Sequence, residues 1–282
     1  MRCLISILAL ILLLTSCEDV IEVDTPSEEP RLIIDALIRV DTTQALTNVR
    51  IKVRETRSFF ESVPPADIQQ ITLTGIEQGG IASVLLEESP GSGIYAKEIN
   101  TSALIAEQII LQIDFNDEYF VAYAEFVPTS PINSLQQGDD FLTNENDTEV
   151  IVNFTDNGDR DDFYLFDFGF GDYLVTEDEF YQGQDFEFSF FYDEDDVGPG
   201  DEVTVSIMGV DEDFYNYMNL LIEQTEEDFG VFETPAITVR GNFINATEID
   251  NINNFNNVDM SDNFALGYFA IVQEFKETLL IE

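Results

Sequence analysis

The chain has 282 residues, and its 57 Asp and Glu outnumber 11 Lys and Arg, which gives a formal net charge of −46 at pH 7. Nucleic acid is therefore not an expected partner, because phosphate binding depends on clustered Lys and Arg. His is absent, and the only cysteines are Cys3 and Cys17, which excludes His-based triads, His-ligated zinc and an internal disulfide framework. Since 44% of the residues are hydrophobic, packed domains are expected, and about 100–200 residues per domain predicts two of them.

The first seventeen residues are typical of a bacterial lipoprotein. Residues 1–16 form a predicted signal peptide, with a basic start at Arg2 and an apolar run, Leu4–Leu14, that is too short to span a bilayer of about 30 Å. Small residues then precede Cys17 in an order that resembles the lipobox, so Cys17 is the predicted site of acylation and membrane anchoring. The alternatives are an ordinary signal peptide that contains a cysteine and an N-terminal membrane anchor.

An acidic segment follows the predicted lipidation site. Glu18 and Asp19 resemble the export signal of Bacteroidota surface lipoproteins, and the alternative is a generic acidic tether. Residues 17–30 as a whole are predicted to be a flexible, charged tether. We therefore expect a lipid-anchored outer-membrane protein that faces the cell exterior.

Apolar and polar residues alternate with period two from Arg31 onward. Val49, Ile51 and Val53 alternate with basic residues, which is the pattern of a half-buried strand. A short helical turn is predicted at Thr101–Ala106. About seven short strands separated by turns predict an Ig-like or transthyretin-like β-sandwich over residues 31–127. Its other predicted strands are Arg31–Val40, Gln70–Thr74, Ala82–Leu86, Ile94–Glu98, Ile109–Phe115 and Tyr119–Phe126.

A Pro- and Gln-containing stretch, residues 128–141, is the predicted linker to a second, β-rich domain over residues 142–282. This domain contains one predicted helix, about residues 211–224, with Asp211 as its N-cap. Both faces of the strand Phe163–Phe170 are apolar, so we expect this strand to be covered on both sides. The fold class is therefore mainly β. The remaining predicted strands are Glu149–Phe154, Asp185–Phe191, Glu202–Met208, Ala236–Arg240, Phe264–Val272 and Thr278–Ile281, with a loop at Asp250–Asn263.

Eight features occur in a fixed order along the chain: Cys17 with its acidic tether, Arg31–Asp35, Val49–Phe60, Pro90–Tyr95, Gly200–Val205, Asp213–Tyr217, Val239–Asn245 and Ala265–Phe269. Their order resembles one family, the domain of unknown function 4249 lipoproteins of Bacteroidota, over nearly the whole mature chain. The resemblance implies an outer-membrane lipoprotein encoded beside TonB-dependent receptors, and hence a non-catalytic receptor accessory that binds or presents a nutrient or a partner. It implies no catalytic residues. The alternatives are a structural or adhesive surface lipoprotein without a transport role, and a carboxylate-dependent hydrolase.

One acidic stretch has the oxygen ligands that calcium uses. Asp156, Asp159 and Asp161 lie at near-alternate positions, as in many acidic loops that supply some of calcium's six to eight oxygens. A structural Ca²⁺ is the only cofactor that the sequence suggests. The alternative is a solvated hairpin turn between two aromatic strands, with Asn157 and Gly158 at its centre.

Two further surface features are candidate sites. Arg50, Lys52 and Arg54 share one strand face, where they either dock an acidic partner or pair with neighbouring carboxylates. Asp41–Thr43 resembles the O-glycosylation acceptor of this phylum, which makes Thr42 the candidate acceptor. Core filling explains most of the 24 Phe and 10 Tyr residues, and stacking on sugar rings is the alternative for the others.

Overall fold

The computed structural model describes residues 30–57, 61–77, 80–140, 147–225, 237–250, 256–257 and 262–282. These residues contain 16 strands and two helices, which confirms the predicted mainly-β class. The strands are β1 (Leu32–Val40), β2 (Leu46–Glu55), β3 (Gln70–Gly75), β4 (Ala82–Glu87), β5 (Ile94–Asn100), β6 (Ile109–Phe115), β7 (Glu118–Ala124), β8 (Phe126–Val127), β9 (Ile132–Gln137), β10 (Thr148–Thr155), β11 (Phe163–Gly169), β12 (Asp172–Glu177), β13 (Asp185–Tyr192), β14 (Glu202–Val210), β15 (Ile244–Asn245) and β16 (Leu266–Leu280). The helices are α1 (Thr101–Leu104) and α2 (Glu212–Thr225).

The first sandwich is a sheet that folds back on itself, in the order β16-β1-β2-β5-β4-β3-β6-β7-β15. The bend is at β4, whose residues 82–85 pair with β3 while Leu86 and Glu87 pair with β5. Fully buried residues from both arms, among them Ile34, Ile51 and Leu111, meet in one core. Because successive side chains of a strand point to opposite faces, the other face of each strand points away from this core.

Strand β16 connects the two halves of the molecule. Its first half runs parallel to β1, from Leu266 opposite Ile33 to Gln273 opposite Val40. Its second half is antiparallel to β14. The sequence predicted two separate strands here, and both were assigned to the second domain. They form one strand because the residues between them, Glu274–Lys276, continue the ladder opposite Ser206–Met208.

Two segments differ from the sequence prediction: the predicted linker at residues 128–141 and the predicted strand that ends at Arg240. Residues 128–141 contain β9, which pairs with β10, and Ile132 is buried in the second core. Residues 237–240, predicted to be in a strand, are in none. The following segment instead contributes β15, which pairs with β7 of the first sandwich. Strand pairing over long sequence distances therefore decides where these segments belong.

The second sandwich has an aromatic core. The sheet β13-β10-β9 packs against β11, β14 and the end of β16. The rings of Phe168 and Phe190 are stacked with centroids 3.8 Å apart, and the rings of Phe166 and Phe188 meet edge to face at 5.1 Å, a geometry that aromatic pairs favour. On the opposite face of β11, Leu165 is fully buried beneath α2. The prediction that this strand is covered on both sides is confirmed.

Helix α2 begins and packs as the sequence predicted. The Asp211 Oδ1 atom accepts a hydrogen bond from the Phe214 backbone N–H at 2.7 Å, which satisfies one of the free amides at the helix start. Phe214 and Tyr217 then contact Tyr268 of β16, with ring centroids 4.9 and 5.0 Å apart. Neither helix in the described part of the chain has the length and apolar character needed to cross a bilayer.

Candidate functional site

The predicted lipidation and export residues, Cys17, Glu18 and Asp19, lie outside the described residues, so they stay predictions. Thr42 is exposed in the turn between β1 and β2. Its Oγ1 atom accepts a hydrogen bond from Gln273 Nε2 at 3.1 Å. Thr42 is therefore accessible, and glycosylation of it also stays a prediction.

The three basic residues of β2 share an outward face but differ in their contacts. Arg50 donates two hydrogen bonds to the Glu88 carboxylate, at 2.9 and 3.1 Å. The Lys52 and Arg54 side chains make no ion pair with the described residues. The pairing alternative therefore applies to Arg50, while Lys52 and Arg54 remain available for a partner.

The acidic stretch from Asp156 to Asp162 is not the turn of a hairpin. It connects β10 and β11, which lie in different sheets, so it crosses from one layer of the second sandwich to the other. Asp159 donates its backbone N–H to Asn157 Oδ1 at 3.1 Å, and Asp161 accepts a hydrogen bond from Gln182 at 3.0 Å. Asp156 points into the protein instead, so the structure does not bring Asp156, Asp159 and Asp161 together as one ligand set.

Asp156 belongs to a buried network around a tyrosine hydroxyl. Tyr164 donates its hydroxyl to Asp156, and Gly183 donates its backbone N–H to the other carboxylate oxygen at 2.6 Å. Asp162 lies 3.2 Å from the same hydroxyl and accepts a hydrogen bond from Arg160. Burial, followed by the bond to Asp156, raises the pKa of Tyr164 far above its usual value. Burial also raises the pKa of Asp162, although Arg160 opposes that shift. These contacts hold the crossing loop in place.

A second acidic region is a cleft of about 440 Å³ beside the chain's last residues. Its lining includes Asp139, Asp140 and Glu149. Glu149 is already engaged, because its carboxylate accepts hydrogen bonds from the Asp140 backbone and from the Ser189 hydroxyl at 2.9 and 2.5 Å. Throughout the described ranges, no three His, Cys, Asp or Glu side chains are placed to hold a metal ion.

A larger groove, of about 750 Å³, lies on the outer face of β6 and β7. We call it the tyrosine groove, because two half-exposed tyrosines of β7 line it, Tyr119 at 44% and Tyr123 at 50% exposure. The intervening Phe120 and Ala122 point into the first core and are buried. The segment that contains β15 forms a wall of the groove, fixed by the Ala246 backbone N–H, which donates to the Tyr119 carbonyl at 2.7 Å. The groove is lined by Ile110, Gln112, Asp114, Tyr119, Val121, Tyr123, Ile244, Ala246 and Ile249.

The strand register gives the tyrosine groove an aromatic side and a polar side. On β7, Tyr119 lies opposite Asp114 of β6, and Tyr123 lies opposite Ile110. On the far side of β6, Gln70 and Thr72 of β3 lie opposite Asp114 and Gln112. Gln112 donates to Asp114 at 2.7 Å, and Gln70 donates to Thr72 at 2.9 Å. Rings on one side and amide, hydroxyl and carboxylate groups on the other therefore share one surface.

Sequence reasoning missed the tyrosine groove. Residues 119–124 carry apolar or aromatic side chains on both faces, so the pattern does not say which face is buried. The wall comes from residues 244–249, more than 100 positions away in the chain, and no local signal brings them to β7. The only usable signal was the tyrosine spacing, because Tyr119 and Tyr123 are four residues apart and must share a face.

The fold and the groove define a two-sandwich β-protein with an open surface site. Residues 18–278 match the family model described as "Domain of unknown function (DUF4249)", and the chain belongs to this family. It is also similar to a solved structure described as "Structural insight into host cell surface retention of a 1.5-MDa bacterial ice-binding adhesin", at 14% identity and a TM-score of 0.21. That likeness covers 67% of this chain and 61% of that chain. Among the curated proteins, none matches this chain.

Proposed function

We propose that this protein is a lipid-anchored, surface-exposed outer-membrane accessory of a TonB-dependent receptor, and that it binds or presents a nutrient or partner without catalysing a reaction. The observation that carries the binding role is the tyrosine groove, which exposes side chains that neither sandwich core uses. Loops and sheet faces outside a rigid core are where binding sites usually lie. The anchor rests on the lipobox at Cys17, and the receptor rests on the family resemblance.

The anchor would keep the sandwiches close to the receptor. A tether from Cys17 to Arg31 reaches about 46–50 Å at full extension, at 3.3–3.6 Å per residue. One acyl chain gives only marginal membrane binding, so stable attachment needs two or more chains on the anchoring cysteine. Because β16 belongs to both sandwiches, the tyrosine groove and the second sandwich stay in a fixed relation to each other.

Co-purification tests the receptor association. The wild-type protein and a Cys17→Ala variant are each purified from detergent-solubilised outer membranes, and the co-purifying proteins are identified. We expect the wild type to bring down a TonB-dependent receptor and the variant to lose the membrane fraction. A wild-type protein that fractionates with the membrane but comes down alone would contradict the accessory role. It would favour a structural or adhesive surface protein instead.

Charge reversal tests whether the basic face of β2 contacts the receptor. The double variant Lys52→Glu/Arg54→Glu leaves the Arg50–Glu88 pair intact, and Lys97→Glu reverses an exposed charge on the neighbouring strand as a control. We expect the double variant to recover less receptor and the control to recover as much as the wild type. Equal recovery with both variants would show that this face does not dock the receptor.

A further inference from the structure

We propose that the tyrosine groove is a binding site for neutral glycan chains, with Tyr119 and Tyr123 as stacking platforms for two separated sugar rings. This inference rests on the proposed function for its setting, because it names the class of ligand that the accessory would present.

The tyrosines have the arrangement that a linear chain of rings requires. Both side chains project from the same face of β7, and four residues of extended strand separate them by about 13 Å. Val121 lies between them, and Ile244 lies opposite Val121 on β15, so the floor is apolar. Aromatic rings present flat apolar faces with a polar hydroxyl at one end, which suits the faces and the rim of a pyranose ring. Several linked sugars would cover this span.

The opposite side of the groove supplies hydrogen bonds for sugar hydroxyls. Gln112 and Asp114 of β6 line the groove, and Gln70 and Thr72 of β3 continue this band of donors and acceptors next to it, parallel to β7. Gln112 and Asp114 bond each other, as do Gln70 and Thr72, yet each amide and carboxylate keeps further hydrogen-bonding capacity. A purely apolar ligand would bury that remaining capacity without partners, which costs free energy. A ligand with apolar ring faces and many hydroxyls satisfies both sides of the groove at once.

Charge selects against acidic glycans. No Lys or Arg is among the described residues that line the groove, and Asp114 is one of them. The chain's formal net charge of −46 adds a negative field that lowers the local concentration of anions. A neutral chain is therefore favoured over a uronic-acid polymer. A cationic peptide would satisfy the charge but makes no use of two separated ring platforms, so it serves as the competing outcome of the test.

Titration calorimetry on the purified full-length protein tests the proposal. The probes are maltohexaose, cellohexaose and xylohexaose as neutral chains, hexagalacturonic acid as the acidic chain, and hexalysine as the cationic peptide. We expect saturable binding of at least one neutral hexasaccharide, and weaker or no binding of hexagalacturonic acid. Absence of saturable binding for all three neutral chains up to about 1 mM would overturn the proposal, and so would tighter binding of hexalysine than of any glycan.

Substitutions then locate the site. Tyr119→Ala and Tyr123→Ala each remove one ring and should weaken binding about 3- to 10-fold, the range that one aromatic contact supplies. Tyr123→Phe keeps the ring and should stay close to the wild type. Tyr173→Ala is the matched control, because Tyr173 is also exposed, at 37%, but lies on β12 of the second sandwich. Equal affinity for the two groove variants and the control would overturn the assignment to this groove.

The receptor accessory role and the glycan site are tested by different experiments, so either proposal can fail without the other. Glycan binding is measured without a receptor, and receptor co-purification is measured without a glycan. A protein that brings down the receptor but binds none of the hexasaccharides would support the accessory role and contradict the glycan site. A protein that binds a hexasaccharide but comes down alone would support the glycan site and contradict the receptor association.

Discussion

Gly209 of β14 lies where the connection between the two halves of the chain crosses the sheet. A Cβ atom at this position would lie 2.1 Å from the Pro128 carbonyl oxygen and 3.1 Å from Thr129 Cβ. The Gly209 backbone is not in the left-handed region, so alanine meets no conformational strain there. The whole effect of Gly209→Ala is therefore the collision, and relieving it requires a backbone shift of about 1 Å to reach normal contact.

The connection cannot make that shift freely. Pro128 follows β8, which pairs with β16, and it precedes β9, which pairs with β10. Overpacking of this kind costs about 1–3 kcal/mol. For a chain of this size, each kcal/mol lowers the melting temperature by about 2–4 °C, so we expect Gly209→Ala to melt about 2–12 °C below the wild type.

The assay is urea and thermal denaturation followed by far-UV circular dichroism, with Gly198→Ala as the matched control. Gly198 also has a backbone conformation that alanine adopts, and its nearest atom to a new Cβ is Asp201 Oδ2 at 4.0 Å. We expect the control to stay within about 0.5 kcal/mol of the wild type. If Gly209→Ala proves as stable as Gly198→Ala, then residues 128–129 do not lie against β14, and the reasoning is refuted.

Three further substitutions test the second half of the molecule, each by urea denaturation. Tyr164→Phe removes the buried hydroxyl that donates to Asp156 and should cost about 1.5–3 kcal/mol; an unchanged midpoint would contradict the network. Leu165→Ala should cost about 2–5 kcal/mol because this side chain is fully buried beneath α2; a cost below about 1 kcal/mol would mean that the helix does not cover it. Burial raises the pKa of Asp211, so the folded state favours the protonated carboxyl more than the unfolded state does. The contribution of Asp211 to the free energy of unfolding is therefore fully present below its unfolded-state pKa, and it is lost as pH rises through its folded-state pKa. Asp211→Asn, which keeps an oxygen acceptor for Phe214, should therefore gain stability over the wild type at pH 7 and lose that advantage near pH 3; a gain that grows on acidification would contradict the sign.

The amount that sequence reasoning could predict differs between elements for physical reasons. Strand β2 was predictable because Val49, Ile51 and Val53 alternate with charged residues, and charged side chains are rarely buried without partners. Helix α2 was predictable because Asp211 gives a capping signal and Phe214 starts an apolar stripe. Strand β9 was assigned to a linker because the prolines and glutamines around it suggest a break.

The candidate sites also contain features that the sequence predicts and features that it does not. The outward direction of Arg50, Lys52 and Arg54 was predictable from alternation alone. Their different contacts were not, because the Arg50 partner, Glu88, comes from the turn after β4, which lies 38 positions away. Asp156 was grouped with its exposed neighbours, although the structure buries it against Tyr164. A sequence shows that carboxylates are near one another in the chain, but it does not show which of them face the core.

The sequence by itself determined the local features of this protein: its period-two strands, its capped helix, its acidity and the family to which it belongs. These depend on contacts within a few residues or on composition, so a linear pattern contains them. Only the tertiary structure decided that β16 serves both sandwiches and that Tyr119 and Tyr123 line a groove rather than a core. Both outcomes depend on pairings between distant segments, β1 with β16 and β7 with β15. Such pairings are selected by the burial of whole sheet faces, which no single segment specifies.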